Sequence, residues 1–221
     1  MLPTGRALRF ALSLPALLGA MGRALDAQAS SGGPVAGRGA PIKGAPVVAG
    51  PPLAAFAEGR VAVVPIQSWR ADTLGWTQSV TWAQLRLTVD SAVAAELQDR
   101  GMGRRWASPL DVVRLARRNP TFQSDPYALG VGRWRSLLPE TGASIPSPLA
   151  DHLRVLTALG DTRHVLVPVE LRVEGEVTRV RLVLADTRAR TVQWAGDLVV
   201  PGGARLASDL AERIADLFLE P

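Results

Sequence analysis

The order of polar and apolar positions in residues 61–100 predicts a buried strand followed by an amphipathic helix. The stretch "VAVVPI" carries apolar side chains at both parities, which is typical of a strand covered on both faces. We therefore expect this strand to be central in a sheet. From Thr81 to Arg100 the apolar residues recur at helical spacing, and Gly101 follows where a helix cap belongs.

The next helix is predicted by its start signal. Ser108 is a good N-cap, Pro109 suits the first helical position, and Asp111 completes a capping box. The helix is predicted to end before Pro120, because proline cannot continue it. Between this helix and the preceding one, "RRWA" at 104–107 predicts a short strand.

Residues 121–146 show no clear period, so we expect short helical pieces and loop there. The pair Ser147 and Pro148 predicts the start of another helix, which ends at Gly160.

After Gly160 the hydrophobic period changes from 3.6 to 2, which predicts strands. On "HVLVPVELRV" one face is predicted to carry Val165, Val167, Val169, Leu171 and Val173, with Glu170 and Arg172 pointing the other way. The next two strands are predicted to continue this buried face with Val180, Leu182 and Leu184, then Val192, Trp194, Leu198 and Val200. These strands form an antiparallel meander, and "ARLASDLAERIADLFL" predicts a closing amphipathic helix.

The predicted order is therefore β-α-β-α-α-β-β-β-α, a single α/β domain (mixed α+β) on a mixed sheet over residues 53–221. Residues 1–29 are predicted to be a secretory signal peptide, because arginines precede an apolar run of about a dozen residues and "AQA" follows. Residues 30–52 are rich in glycine, proline, alanine and serine, which predicts a flexible tether. The expected location is the periplasm or the exterior, and no segment after the signal is expected to span a membrane.

Charge adds little to this picture. The formal net charge is +5, Lys43 is the only lysine, and the arginines that set the high isoelectric point are spread over helices and strands. Nucleic-acid binding needs a clustered basic surface, so we do not expect it.

The residue types present exclude several kinds of chemistry. The chain has no cysteine, so thiol catalysis, disulfides and cysteine-containing zinc sites are impossible. No nucleophile elbow, H-E-x-x-H motif or phosphate-binding glycine loop occurs, and we expect no metal and no cofactor. The two histidines, His152 and His164, leave a small hydrolase as an alternative, although a protein without enzymatic activity is the favoured interpretation.

The element order, the V-x-V-x-P strand and a late hairpin with Asp186, Thr187 and Trp194 resemble a group of bacterial envelope domains. The group comprises the amino-terminal domain of TolB, CsgG and the LpoB-type activators of peptidoglycan synthases. The resemblance implies an envelope domain of this fold that binds other envelope components. The lipidation cysteine of the pore and activator proteins is absent from this chain.

Residues 67–80, between the first strand and the helix from Thr81, are predicted to be a loop. Three of the six tryptophans follow the carboxyl end of the first strand, where α/β sheets tend to bind partners. Trp69, Arg70, Asp72 and Trp76 form the predicted partner-binding site, since Trp and Arg are enriched at interface hot spots and Asp72 can orient Arg70. The alternative is that Trp69 and Trp76 form a lid over the core, while Trp82 packs on the sheet. We expect an envelope protein that binds another envelope protein or component, or else a structural part of an envelope complex; the oligomeric state stays open.

Overall fold

The computed structural model describes residues 51–71, 75–119 and 124–219, which belong to one compact unit, Pro46–Pro221. The predicted signal peptide and all but the last two residues of the predicted tether lie outside the described residues. The helices and strands of the described part are, in order, α1 (Ala54–Ala57), β1 (Val61–Val63), β2 (Trp69–Ala71), α2 (Trp82–Asp99), α3 (Pro109–Arg118), α4 (Gly132–Ser136), α5 (Leu149–Leu159), β3 (His164–Glu174), β4 (Val177–Asp186), β5 (Thr191–Pro201) and α6 (Leu206–Asp216). Short 3₁₀ helices occur at Gly75–Ser79 and Met102–Arg104.

The strands form one mixed sheet, which confirms the predicted α/β class. Strands β3, β4 and β5 make the predicted antiparallel meander, and β1 and β2 both run parallel to β3. Because β1 pairs with the start of β3 and β2 pairs with its end, the two short strands lie one after the other along the same edge. The central position predicted for β1 is wrong, since β1 lies at the edge of the sheet and, among the described residues, its other side meets only Ala107.

Helices cover both faces of the sheet, so two hydrophobic cores form. Helices α2 and α6 pack on one face, and the first core contains Leu85, Val89, Leu171, Leu182, Leu210 and Ile214. Helices α3, α4 and α5 pack on the other face, and the second core contains Val112, Trp134, Leu153, Val165, Val167 and Val183.

The prediction that the apolar residues of β3 share one face is wrong. A bulge between Pro168 and Glu170 shifts the register, so Val169 faces the second core while Leu171 faces the first. One extra residue reverses the alternation of side chains along a strand. A second irregularity in the pairing of β4 with β5 has the same effect on Val192, which faces the second core, whereas Trp194 packs on the first.

The predicted helix starts at Thr81 and Ser108 are confirmed. The Thr81 hydroxyl accepts a hydrogen bond from the Gln84 amide at 3.3 Å, and the Gln84 side chain accepts one from the Thr81 amide at 3.1 Å. The same reciprocal arrangement joins Ser108 and Asp111. Both satisfy amides that a helix leaves unpaired at its first turn.

The strand predicted at 104–107 is wrong. Gly101 has a positive φ of 75°, and the chain then forms the second 3₁₀ helix. Of residues 104–107 only Ala107 pairs with β1, and the cap at Ser108 follows at once, which leaves no room for a longer strand.

The helix predicted from the second Ser-Pro pair is present, but it begins at Leu149, with Pro148 at the capping position. Residues 124–146 contain the short helix α4 and loop, as expected for the described part of that region.

Candidate functional site: an aromatic and arginine cluster

The segment that follows β1 is fixed by the side chain of Gln67. Its amide nitrogen donates to the carbonyls of Pro65 and Pro126 at 2.7 and 2.9 Å. Its amide oxygen accepts a hydrogen bond from the Leu129 amide at 2.8 Å. Gln67 therefore ties residues 126–129, which are remote in sequence, to the carboxyl end of β1.

Four side chains form a continuous contact beside this anchor, and we call them the aromatic-arginine cluster: Trp69, Trp82, Arg86 and Tyr127. The rings of Trp69 and Trp82 meet edge to face, with centroids 5.3 Å apart. The Arg86 guanidinium lies 5.6 Å from the Trp82 centroid and 3.7 Å from the Tyr127 centroid. All four residues are half-buried, so each keeps part of its surface open to a partner.

A carboxyl group lies buried next to the cluster. Asp90 is on α2, one helical turn after Arg86, and only 1% of the residue is exposed. Burial raises the pKa of Asp90 to about 7, although the Arg86 charge and a hydrogen bond from the Ile66 amide oppose the rise. Burial also raises the pKa of Tyr127, and the Asp90 charge adds to that effect.

The structure separates the residues of the sequence-predicted site. Trp69 and Arg70 are neighbours on β2, so their side chains point to opposite faces of the sheet. The Arg70 Nε lies 3.4 Å from a carboxylate oxygen of Glu170, which is almost fully buried, and Arg70 itself is largely exposed. Asp72, which was expected to orient Arg70, lies outside the described residues.

Trp76 belongs to the first 3₁₀ helix and faces α2 and the start of α6 rather than the cluster. It lines a cavity of about 340 Å³ together with Leu85 and Leu206. Its indole nitrogen is buried and has no acceptor among the described residues. Both Trp69 and Trp76 pack partly on the first core, and partner contact at either stays a prediction.

The segment predicted as a loop at 67–80 also needs a correction. Residues Trp69–Ala71 are strand β2, because Ser68 and Leu171 begin a parallel register with β3: the Leu171 amide donates to the Ser68 carbonyl at 2.9 Å. The strand holds Trp69 against Trp82 more firmly than a loop does, since its backbone is hydrogen-bonded to a long central strand.

Sequence reasoning missed Gln67, Arg86, Asp90 and Tyr127. Asp90 could have been found from the sequence, because it interrupts the buried stripe of α2 next to Val89. Buried carboxylates often mark functional sites. Tyr127 lies in the segment without a period, and nothing in the local sequence places it against Arg86.

The two histidines lie apart from the cluster. His152 on α5 has its Nδ1 at 3.4 Å from the Leu129 carbonyl. His164 opens β3, 3.8 Å from an Asp186 oxygen, and burial lowers its pKa. The Asp186 carboxylate accepts hydrogen bonds from Arg163 and from the amides of the turn after β4, so these contacts fix that turn.

Within the described ranges no group of three or more histidine, aspartate or glutamate side chains is arranged to hold a metal ion. No helix in that part of the chain has both the length and the apolar character needed to cross a bilayer.

The fold defines a class: an α/β domain in which a mixed sheet lies between two helical layers. No protein-family model matches the chain, and no curated protein sequence matches it. The chain is similar in structure to Escherichia coli LpoB, with a TM-score of 0.40 and 12% identity over 90% of this chain and 94% of that one. It is also similar to the LpoB C-terminal domain of Salmonella enterica, with a TM-score of 0.39 and 14% identity over 65% of this chain and 84% of that one. For lipoprotein GNA1162 of Neisseria meningitidis the TM-score is 0.35, with 16% identity over 71% and 96%.

Proposed function

We propose that this protein is an exported, non-catalytic component of the cell envelope that binds another envelope protein through the aromatic-arginine cluster. The observation that carries the proposal is the unbroken contact from Trp69 through Trp82 and Arg86 to Tyr127, with every member partly exposed. Trp, Tyr and Arg are the residue types enriched at interface hot spots.

The cluster is held in place before any partner arrives. The capping box at Thr81 fixes the first turn of α2, which carries Trp82 and Arg86. Gln67 fixes the segment that carries Tyr127, and β2 fixes Trp69. Side chains ordered in the free protein lose less conformational entropy on binding, so this support favours affinity.

Export rests on the sequence, in which residues 1–29 have the charged start, apolar run and small-residue site of a secretory signal. The proposed lack of catalysis also rests on the residue types, since the chain has no cysteine and none of the nucleophile motifs considered above. His164 and Asp186 support it further, because that carboxylate is engaged by Arg163 and by turn amides.

The test is affinity capture of proteins from an envelope extract, followed by binding measurements with the purified partner. Arg86→Gln and Tyr127→Leu each remove a member of the cluster while leaving a side chain of intermediate size at the position. We expect each change to weaken binding by about 2 kcal/mol or more, which is roughly 30-fold. The melting temperature of each variant is measured in parallel.

Arg179→Gln is the matched control, because Arg179 is an exposed arginine on β4 away from the cluster. It is expected to bind the partner as the wild type does. Equal binding by all three variants would contradict the proposed interface. If a variant loses binding only to the extent that it unfolds, the cluster has a packing role.

A further inference from the structure

A second feature lies at the other end of β1. A cleft of about 360 Å³ is lined by five arginines from three parts of the chain: Arg60, Arg104, Arg105, Arg114 and Arg118. It adjoins a larger cavity of about 600 Å³, and the two share Gly103, Trp106 and Asp111 among their lining residues. We call the smaller one the arginine cleft.

The acidic side chains in reach do not balance these arginines. Arg60 pairs with Asp161, and Arg105 pairs with Glu58. Arg114 pairs with Asp111 at 2.7 Å.

Arg104 and Arg118 form no ion pair within the described ranges, and both are exposed. The cleft therefore has an excess of positive charge from guanidinium groups that are free to turn toward a ligand. Clefts with walls of one charge concentrate the field of that charge.

Trp106 forms part of the cleft wall and is rigidly placed. It is 4% exposed, and its ring meets Phe218 edge to face with centroids 4.5 Å apart. Its buried indole N–H has no acceptor among the described residues. A buried donor without an acceptor is uncommon in a folded protein, and here it belongs to a side chain that lines the cleft.

We infer that the arginine cleft binds a ligand that carries a terminal phosphate or diphosphate group. Guanidinium groups match phosphate oxygens in a planar, two-point geometry, and several together neutralise a multiply charged anion. The cleft has room for such a group and a sugar or similar small substituent. The inference is independent of the proposed partner-binding role, because it involves none of the residues of the aromatic-arginine cluster.

Calorimetric titration of inorganic pyrophosphate into the purified protein, at fixed ionic strength, tests the inference. We expect saturable binding at one site and at least tenfold weaker binding of sulfate. The variant with both Arg104→Gln and Arg118→Gln is expected to lose at least tenfold in affinity. It leaves the three ion pairs of the cleft intact, so its melting temperature should stay close to that of the wild type.

Arg179→Gln, which removes an exposed arginine elsewhere, is expected to bind pyrophosphate as the wild type does. Co-sedimentation with vesicles that contain phosphatidic acid, a lipid whose phosphate is terminal, distinguishes the source of the phosphate. If pyrophosphate binds, the ligand is a soluble or sugar-linked phosphate. If only the vesicles bind, and this binding requires Arg104 and Arg118, the ligand is a lipid headgroup. The inference is overturned if neither probe binds, if sulfate binds as tightly as pyrophosphate, or if Arg179→Gln weakens binding as much as the double change does.

Discussion

The guanidinium of Arg86 lies 3.7 Å from the centroid of the Tyr127 ring, which joins α2 to a segment some forty residues further along the chain. A cation over an aromatic face is attracted by the partial negative charge of that face, and the contact is stronger where water is partly excluded. The same arginine contacts Trp82 and lies near buried Asp90, so it connects the exposed cluster with the carboxyl group next to it.

The contribution of Asp90 to the stability of the protein is predicted to fall between about pH 4 and pH 7. The pKa of Asp90 is about 7 in the folded chain and 3.8 as a reference for the unfolded chain. In this window the unfolded chain releases a proton that the folded chain keeps, so unfolding becomes more favourable as pH rises. The contribution of Asp90 to the free energy of unfolding is fully present below about pH 4 and is lost above about pH 7.

Asp90→Asn is the variant that isolates this effect, since Asn retains an oxygen that can accept the Ile66 amide. Its free energy of unfolding is expected to exceed that of the wild type at pH 8, by on the order of 4 kcal/mol at most. Urea unfolding at pH 4, 6 and 8 measures the difference. Parallel pH profiles of unfolding free energy for the two proteins would show that Asp90 does not cause the pH dependence.

Trp69→Ala and Trp76→Ala are predicted to differ in their effects. Trp76 packs against α2 and α6 with its indole nitrogen buried, so its loss should cost about 3 kcal/mol or more of stability. Trp69 contributes an edge-to-face contact to Trp82, typically worth about 1 kcal/mol beyond its burial, and its truncation should weaken partner binding. Denaturant titration and binding of the purified partner measure the two effects. Equal losses of stability would mean that Trp69 serves as a lid in the same way as Trp76.

Gly196→Ala is predicted to destabilise the protein, because a Cβ at this position would lie 2.6 Å from the Trp194 ring. Either the ring or the edge strand β5 has to move, at an expected cost of about 1–3 kcal/mol. Gly132→Ala is the control: a Cβ there meets nothing within 4 Å, so stability should be unchanged or slightly raised. Thermal unfolding of the two variants should separate them by several degrees, and coincident transitions would contradict the close contact.

Thr81→Ala is predicted to lower the free energy of unfolding by about 1 kcal/mol through loss of the N-cap. Because Trp82 directly follows this cap, the change should also loosen the cluster. Hydrogen exchange of the first-turn amides of α2 should speed up in the variant. Thr88→Ala, further along the same helix, removes a bond from its hydroxyl to the Gln84 carbonyl and is expected to leave the first turn protected.

Features that depend on residues close in sequence could be predicted from the sequence. The capping boxes at Thr81 and Ser108 join residues three apart, and the positive φ at Gly101 needs only the absence of a Cβ. The meander and the closing helix follow from their hydrophobic periods. The α/β class follows from these elements together.

Tertiary structure alone decided the rest. The bulge before Glu170 depends on how β3 pairs with β4, and it reversed the faces that alternation predicts. Arg70 contacts Glu170 and lies on the other side of the sheet from Trp69, because neighbours on a strand point to opposite sides. The strand that carries both residues, β2, formed only through pairing with β3.

The same reason explains both candidate sites. Arg86 and Tyr127, like Arg60 and Arg118, are separated by forty or more residues, and no local pattern shows that they meet. Arginines that are scattered along the sequence converge at one end of β1 because Ala107 pairs with that strand and α3 follows it directly. The sequence determined the long helices and the strands of the meander. Pairing with β3 determined strand β2, and the packing of all these elements around β1 determined which side chains share a surface.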